Sequence, residues 1–360
     1  LLEDQNAGSG SSVLPTPMPE GVIVAPPAET SAGPATIDVL LAYTPDAEIW
    51  AGANRSGIDN VTAQSIKRAN QTFADSGVDL RLRVVLYTPV AYAESGDAVT
   101  DLYRATFSEA FDPDGLDPED SLEELHDWRA EYGADLVVLM TSGDAGAAWL
   151  LKDPNGDERY GFSVTPVETA DIALIRQIAY NLGCSHSRLQ QDPPTSEEGG
   201  LYDFSTGARW VGTDGRRYAS VMTHAEGDIQ VYLFSSPQIT VAGVPTGMYE
   251  GAGAPADNAR SLRAVMHRVA GYQAEVTDSE DEGEGKDKTA ENEETEGEKD
   301  VDKALDKAEG EVETVPLTPA GDLTSWLYIL GGAYGYTGPD PLGYDKFSPS
   351  GVQKLTDPAA

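Results

Sequence analysis

Residues 175–189 read "IRQIAYNLGCSHSRL". Apolar residues recur at helical spacing as far as Leu182, Gly183 interrupts the run, and a single histidine, His186, follows three residues later. A glycine just past the last periodic residue is a helix stop, because it accepts the left-handed backbone that closes the final turn. The spacing predicts a helix over roughly 170–182 that ends in a glycine turn and runs on to a histidine.

Working outward, apolar runs and amphipathic segments alternate. "TIDVLLAYTP" is a β-branched run expected to form a buried strand over 37–44. "DNVTAQSIKRANQTFADSG" carries apolar positions at helical spacing and ends at Gly77, and "VDLRLRVVLYTPV" alternates as a half-buried strand does. "SLEELHDWRAEYG" reads as a helix opened by a capping box of Ser121 and Glu124. "ADLVVLMTS" suits a central strand. Downstream of the glycine turn come "ASVMTHAEG", "VYLFSSPQIT" and a closing helix, "ADNARSLRAVMHRVAGYQAEV". Strands alternating with helices predict an α/β fold: a twisted, mostly parallel sheet with packed helices.

The two ends differ from this middle. Residues 1–36 are rich in Pro, Gly, Ser and Ala and read as an extended leader or linker; the folded domain is expected over 37–275. Residues 276–314 form an acidic low-complexity tether, and 315–360 regain aromatics, Trp326 and Tyr328 among them, in a Gly/Pro-rich segment. Disordered or extended termini are expected.

The 61 acidic and 24 basic residues leave a formal charge of −37, which argues against nucleic acid or an anionic membrane as partner. One cysteine, Cys184, excludes an intramolecular disulfide. No apolar window is long enough for a membrane span. The opening "LLEDQNAGSGSS" reads as trimmed, with export the expectation.

Nine stretches occur in one order across about two-thirds of the chain: "IDVLLAYTPDA", "ANQTFADSGVDLRLRVV", "YGADLVVLM", "AGAAWL", "YGFSVTPV", "YNLGCSHSR", "VMTH", "FSSPQITVAGVPTG" and "ADNARSL". Together they resemble the bacterial reprolysin-like zinc metallopeptidases of the metzincin clan, the group of the peptidyl-Asp metalloendopeptidases. The resemblance implies a metzincin-like domain, an extracellular or cell-surface location, and an active helix of the form H-E-x-x-H-x-x-G-x-x-H, whose histidines hold zinc and whose glutamate activates water.

Matched to that pattern, the first histidine position is Arg176, the glutamate position Gln177 and the second histidine position Tyr180. Gly183 and His186 match the turn and third ligand, and Met222 matches the methionine turn. Arginine has no lone pair to give a metal, glutamine has no useful proton affinity, and tyrosine coordinates only as phenolate. Two cysteines that family members commonly pair align with Ala145 and Val167. On these grounds no catalytic residue and no metal site is expected, zinc is disfavoured, and calcium is allowed as the only cofactor. The function expected is a catalytically inactive homologue of a secreted zinc metalloendopeptidase, serving as a binding or structural module in an extracellular assembly. The alternatives are an active metalloendopeptidase with an atypical metal site, or a calcium-dependent matrix or adhesive protein. A peptide or protein partner is expected at the old cleft or the C-terminal segment, with a homo-oligomer or larger assembly allowed.

Trp149 and His224 are candidate cleft residues, with Trp149 read equally well as core, and a rebuilt metal site from Tyr180, His186 and His224 is one alternative. Arg176 is expected to fill the former metal volume, pairing with Glu168 or Asp171 and stacking on Tyr180. Cys184 and His186 are a weak candidate nucleophile and base. His126 and His267 fall on amphipathic helices as ordinary boundary residues. The oxygen-rich loops 111–121 and 153–159 are the calcium candidates, though neither keeps EF-hand spacing.

Overall fold

The computed structural model describes residues 11–17, 33–112, 121–188, 199–225, 227–274 and 276. The sheet elements are β1 (Ser11–Pro15), β2 (Ala35–Tyr43), β3 (Leu80–Pro89), β4 (Leu136–Thr141), β5 (Gly146–Leu150) and β6 (Phe162–Pro166). The helices are α1 (Pro45–Asn54), α2 (Ile58–Asp75), α3 (Ala98–Thr106), α4 (Glu123–Glu131), α5 (Ala170–Asn181) and α6 (Asn258–Val269). A small sheet of β7 (Arg209–Val211), β8 (Arg217–Ala219) and β9 (Ile229–Gln230) follows α5. The acidic and aromatic segments beyond 276 and most of the loop 111–121 lie outside the described residues.

The six strands run in the order β1-β5-β6-β4-β2-β3. All pairs are parallel except β5 with β6, so the expected mostly parallel sheet is present. Strands β2 and β4 are apolar at successive positions because both faces of the sheet are covered. Ile37, Val39 and Leu41 enter the core shared with α1, α2, α5 and α6. Leu40 and Ala42, pointing the other way with the strand's two-residue period, pack with Leu102 of α3 and Leu125 of α4. On β3 the alternation of buried Leu80 and Leu82 with exposed Arg81 and Arg83 marks the opposite edge.

Helix α2 stops at Ser76 and Gly77, the latter at φ 66°, as its sequence predicts. Helix α4 begins differently from the expected capping box. It starts at Glu123 after Leu122 with no side-chain cap, and the Ser121 hydroxyl donates to Glu123 at 2.8 Å. Two buried ionisable side chains, Arg129 and Asp135, sit near the start of β4. Arg129 donates to the carbonyls of Ala134 (3.1 Å) and Asp135 (2.7 Å), and burial pushes its guanidinium down to about 10. Asp135 accepts from the amides of Asp38 and Gln273, yet burial still raises its carboxyl to about 6.

Among the elements with no counterpart in the sequence reading, which include α1 and α3, one lies in the leader. Within the Pro/Ser-rich leader, Ser11–Pro15 adds a sixth strand, pairing in parallel with β5 from Ser11↔Gly146 to Pro15↔Leu150. Five residues are too few to show a period against that background.

Candidate functional site

Helix α5 presents Arg176, Gln177 and Tyr180 toward β5 and the loop 219–224. Their positions i, i+1 and i+4 place them on one side of the helix. The turn that follows depends on Gly183. Its φ is 78°, and a Cβ there would lie 2.5 Å from the Cβ of Leu201. Side chains are excluded twice over, by conformation and by space.

Past the turn, His186 folds back against the helix, 7% exposed. Its Nδ1 lies 2.6 Å from the Met222 carbonyl and its Nε2 lies 2.5 Å from the Tyr180 hydroxyl. A carbonyl only accepts, so Nδ1 carries the proton and Nε2 accepts from Tyr180. Burial, with the nearby Arg176 charge adding to it, holds the imidazole down to about 4 despite the Met222 carbonyl. His224 stands edge-on to it with ring centroids 4.8 Å apart, and burial and the His186, Arg176 and Arg209 charges push it down to about 2. Both rings are neutral at pH 7.

Arg176 is 3% exposed. Nε donates to the Val221 carbonyl at 2.8 Å; Nη2 donates to the Thr223 carbonyl and to the Gln230 side-chain oxygen, each at 3.1 Å. Gln230 in turn donates to the carbonyls of Ala219 and Ser220. The carboxylates expected opposite Arg176 do not take these two nitrogens. Asp171 lies in the field of Arg55 and Arg68 instead. The methionine turn is thus held from two sides, by His186 on Met222 and by Arg176 on its neighbours. Gln230 had no signal in sequence, since its partner is 54 residues away.

Trp149 is not a cleft residue. It points to the opposite face of the sheet, donates to the Thr106 hydroxyl at 2.8 Å, and packs in the core with Tyr160 and Phe107. Strand alternation explains the correction: Ala148 and Leu150 take the α5 side of β5, so Trp149 must take the other. Cys184 and His186 diverge as well. The buried Cys184 thiol reaches the Asn258 carbonyl at 3.7 Å, and burial raises it well above the ordinary thiol range, which is unsuited to a nucleophile. His126 is half-buried against Phe162, and His267 meets the Gly33 carbonyl.

In the loop 153–159, Asp153 accepts from Asn155 and Asp157 pairs with Arg159 at 2.7 Å. Among the described residues no group of three or more His, Cys, Asp or Glu side chains is placed to hold a metal ion. A zinc held by three converging lone pairs does not fit the side chains at 176, 180 and 186. A guanidinium occupies the first position, and the Nε2 of His186 already accepts from Tyr180. No step through a metal is derived from these residues.

An α/β sheet of this kind, with a helix, glycine turn, histidine and methionine turn in sequence, defines a protein of metallopeptidase ancestry. No family model matches the chain. Among curated proteins, it is 28% identical over 269 residues to a peptidyl-Asp metalloendopeptidase of Pseudomonas aeruginosa, a match that takes in 67% of this chain and 41% of that protein. It is 26% identical over 251 residues to a peptidyl-Asp metalloendopeptidase of Stenotrophomonas maltophilia, covering 68% of this chain and 55% of that one. The chain therefore spans about half the length of these relatives or less. A solved structure described as a chaperone-substrate complex gives a TM-score of 0.49 at 17% identity, covering 68% of this chain and 36% of that one. The chain is a distant relative of the peptidyl-Asp metalloendopeptidases.

That relationship corrects two expectations. The reading of a non-enzyme is overturned by relatives named for cutting peptide bonds, and nothing in the structure demonstrates lost activity. The reading of no cofactor beyond calcium is overturned by the same names, which state a metal. No described helix is long and apolar enough to cross a membrane.

Proposed function

We propose that this chain is a polypeptide-engaging domain of metalloendopeptidase descent, working outside the cell, that takes an extended peptide along the outer edge of β5. The observation that carries this reading is the five-residue pairing of β5 with Ser11–Pro15. A sheet edge offers a row of main-chain donors and acceptors, and an extended segment can complete it by strand addition.

The position of β5 adds support. Its first residue, Gly146, lies against Gln177, where a Cβ would come 2.3 Å from the side-chain nitrogen. The Leu151 amide donates to the Tyr180 carbonyl at 3.0 Å, and the Asn181 side chain donates to the Trp149 carbonyl at 3.0 Å. A peptide on this edge therefore runs across the helix that the resemblance marks as active. Peptide as the ligand class follows the relatives' names; the extracellular setting follows the family resemblance in the sequence.

The test uses the full chain with labelled ten-residue peptides containing a central Asp, titrated to millimolar concentration with zinc present. Saturable binding is expected, with hydrogen exchange quickened at residues 12–16 as the peptide takes their place on β5. Binding that leaves those amides unchanged, or no binding, overturns the reading. Hydrolysis of the bound peptides would extend it to the activity for which the relatives are named.

A further inference from the structure

The far side of the sheet ends in β3, and among the described residues β2 is its one strand neighbour. The Asp79 carbonyl accepts from the Ala35 amide on the β2 side, so the alternation of the strand turns the Leu82 N–H and C=O outward, away from the sheet. One side chain meets both groups. Asn70 Oδ1 accepts from the Leu82 amide at 2.7 Å, and Asn70 Nδ2 donates to the Leu82 carbonyl at 3.1 Å. Ile66 and Phe73, about one turn before and after Asn70 on α2, are buried in the core, which fixes where the amide is held.

A carboxamide offers a donor and an acceptor side by side, as a main chain does. Two bonds at one residue are also what an antiparallel neighbour supplies, because directly opposed residues of a hydrogen-bonded pair exchange both. Asn70 therefore stands where one residue of an added strand would stand. The rest of β3 is equally unwelcoming. Val39 pairs with Val84 but Leu40 with Leu86, so a bulge interrupts the edge, and Pro89 lacks the N–H to extend it. The uninterrupted run is Leu80–Val84, and every copy of the chain carries it. Two copies meeting about a two-fold axis at Leu82 would set each Arg81 opposite the other copy's Arg83, like charge against like. Both arginines are exposed.

The geometry points to Asn70 as the residue that closes the β3 edge against strand addition by a second copy of the chain, so that pairing with an extended segment is confined to the β5 side. An exposed edge strand is a template for another chain, and here the template is covered at its centre. The inference stands whether or not β5 takes a separate peptide. It also differs from a plain staple between α2 and β3. Removing a staple leaves a weaker monomer, whereas removing a guard leaves two chains joined through Leu82.

The experiment measures the mass of the full chain by sedimentation from micromolar to millimolar concentration, for the parent and for Asn70→Ala, Arg81→Glu and the double variant. Parent and Arg81→Glu should each sediment as one chain. Asn70→Ala should double in mass as concentration rises. The double variant should dimerise about tenfold more tightly still, because two facing charge pairs change from repulsive to attractive. A folded double variant that remains one chain at millimolar concentration overturns the inference. So does Arg81→Glu alone dimerising as tightly as the double variant, which would leave Asn70 no part in closing the edge. Equal association of Asn70→Ala and the double variant overturns it too, since the contact then lies elsewhere. Should Asn70→Ala not fold, Asn70→Ser removes the paired donor and acceptor with a smaller change in polarity and is read in the same way.

Discussion

At the scale of the residue, the most consequential substitution is the guanidinium at 176. A buried arginine is costly unless its donors are met, and here carbonyls and an amide oxygen meet them with good geometry. Removing it leaves the Val221 and Thr223 carbonyls without these donors inside a buried turn, so Arg176→Met should destabilise the fold by ~2–4 kcal/mol. Lysine keeps the charge but not the fork that reaches two carbonyls at once, so Arg176→Lys should cost less, ~1–2 kcal/mol. Denaturant midpoints at constant m-value check both. A loss below 0.5 kcal/mol for the methionine variant, on the order of a surface change, would show that the turn holds itself. His186 works from the other side of the same turn, its proton fixed on Nδ1 by Met222.

At the scale of the element, β5 and α5 behave as a unit because they approach more closely than side chains allow. A Cβ at Gly146 would meet Gln177 at 2.3 Å and the Val164 carbonyl at 2.9 Å. The first neighbour is the end of a flexible side chain and the second is backbone. Gly146→Ala should therefore cost ~1–3 kcal/mol as an overpacking change, and Gln177→Ala on top should recover part of it but not all. Full recovery in thermal melts would mean that β6 also yields. This closeness was hidden in the sequence, where Gly146 is one small residue in "AGAAWL". The helix was legible from its period, Gly183 from its place just past the last periodic residue, and the central strands from their short, continuous apolar runs. Trp149 could be read as cleft or as core because the alternation of β5 is masked by alanines on both faces. Ser11–Pro15 was illegible because its partner lies 135 residues away and supplies all the reason for it to be a strand.

At the scale of the whole molecule, two buried groups on different elements pull stability in opposite directions with pH. Burial holds His186 at about 4 against an ordinary 6.5. Its contribution is complete above pH 6.5 and is lost as pH falls through about 4, a change of ~3 kcal/mol at ~1.4 kcal/mol per pKa unit. Asp135 is raised from 3.8 to about 6, so its contribution is complete below 3.8 and is lost as pH rises through about 6, also by ~3 kcal/mol. His224 acts in the sense of His186, while Asp75 and Asp171, both raised by burial, act in the sense of Asp135. The opposed pair should leave the unfolding free energy nearly level between pH 4 and 6.5. Single variants then expose each side. Asp135→Asn, whatever it costs by disturbing the Asp38 and Gln273 amides, should make stability fall more steeply toward acid than in the parent chain, because Asp135 no longer opposes His186. His186→Gln, which can still donate to Met222 and accept from Tyr180, should make stability rise toward acid. Urea titrations at half-unit pH steps measure the slopes, and the slope is the reading because it is insensitive to the constant cost of each substitution. Parallel profiles in the three proteins would show that neither group titrates as its burial requires, and that the turn at Met222 opens before His186 takes up a proton.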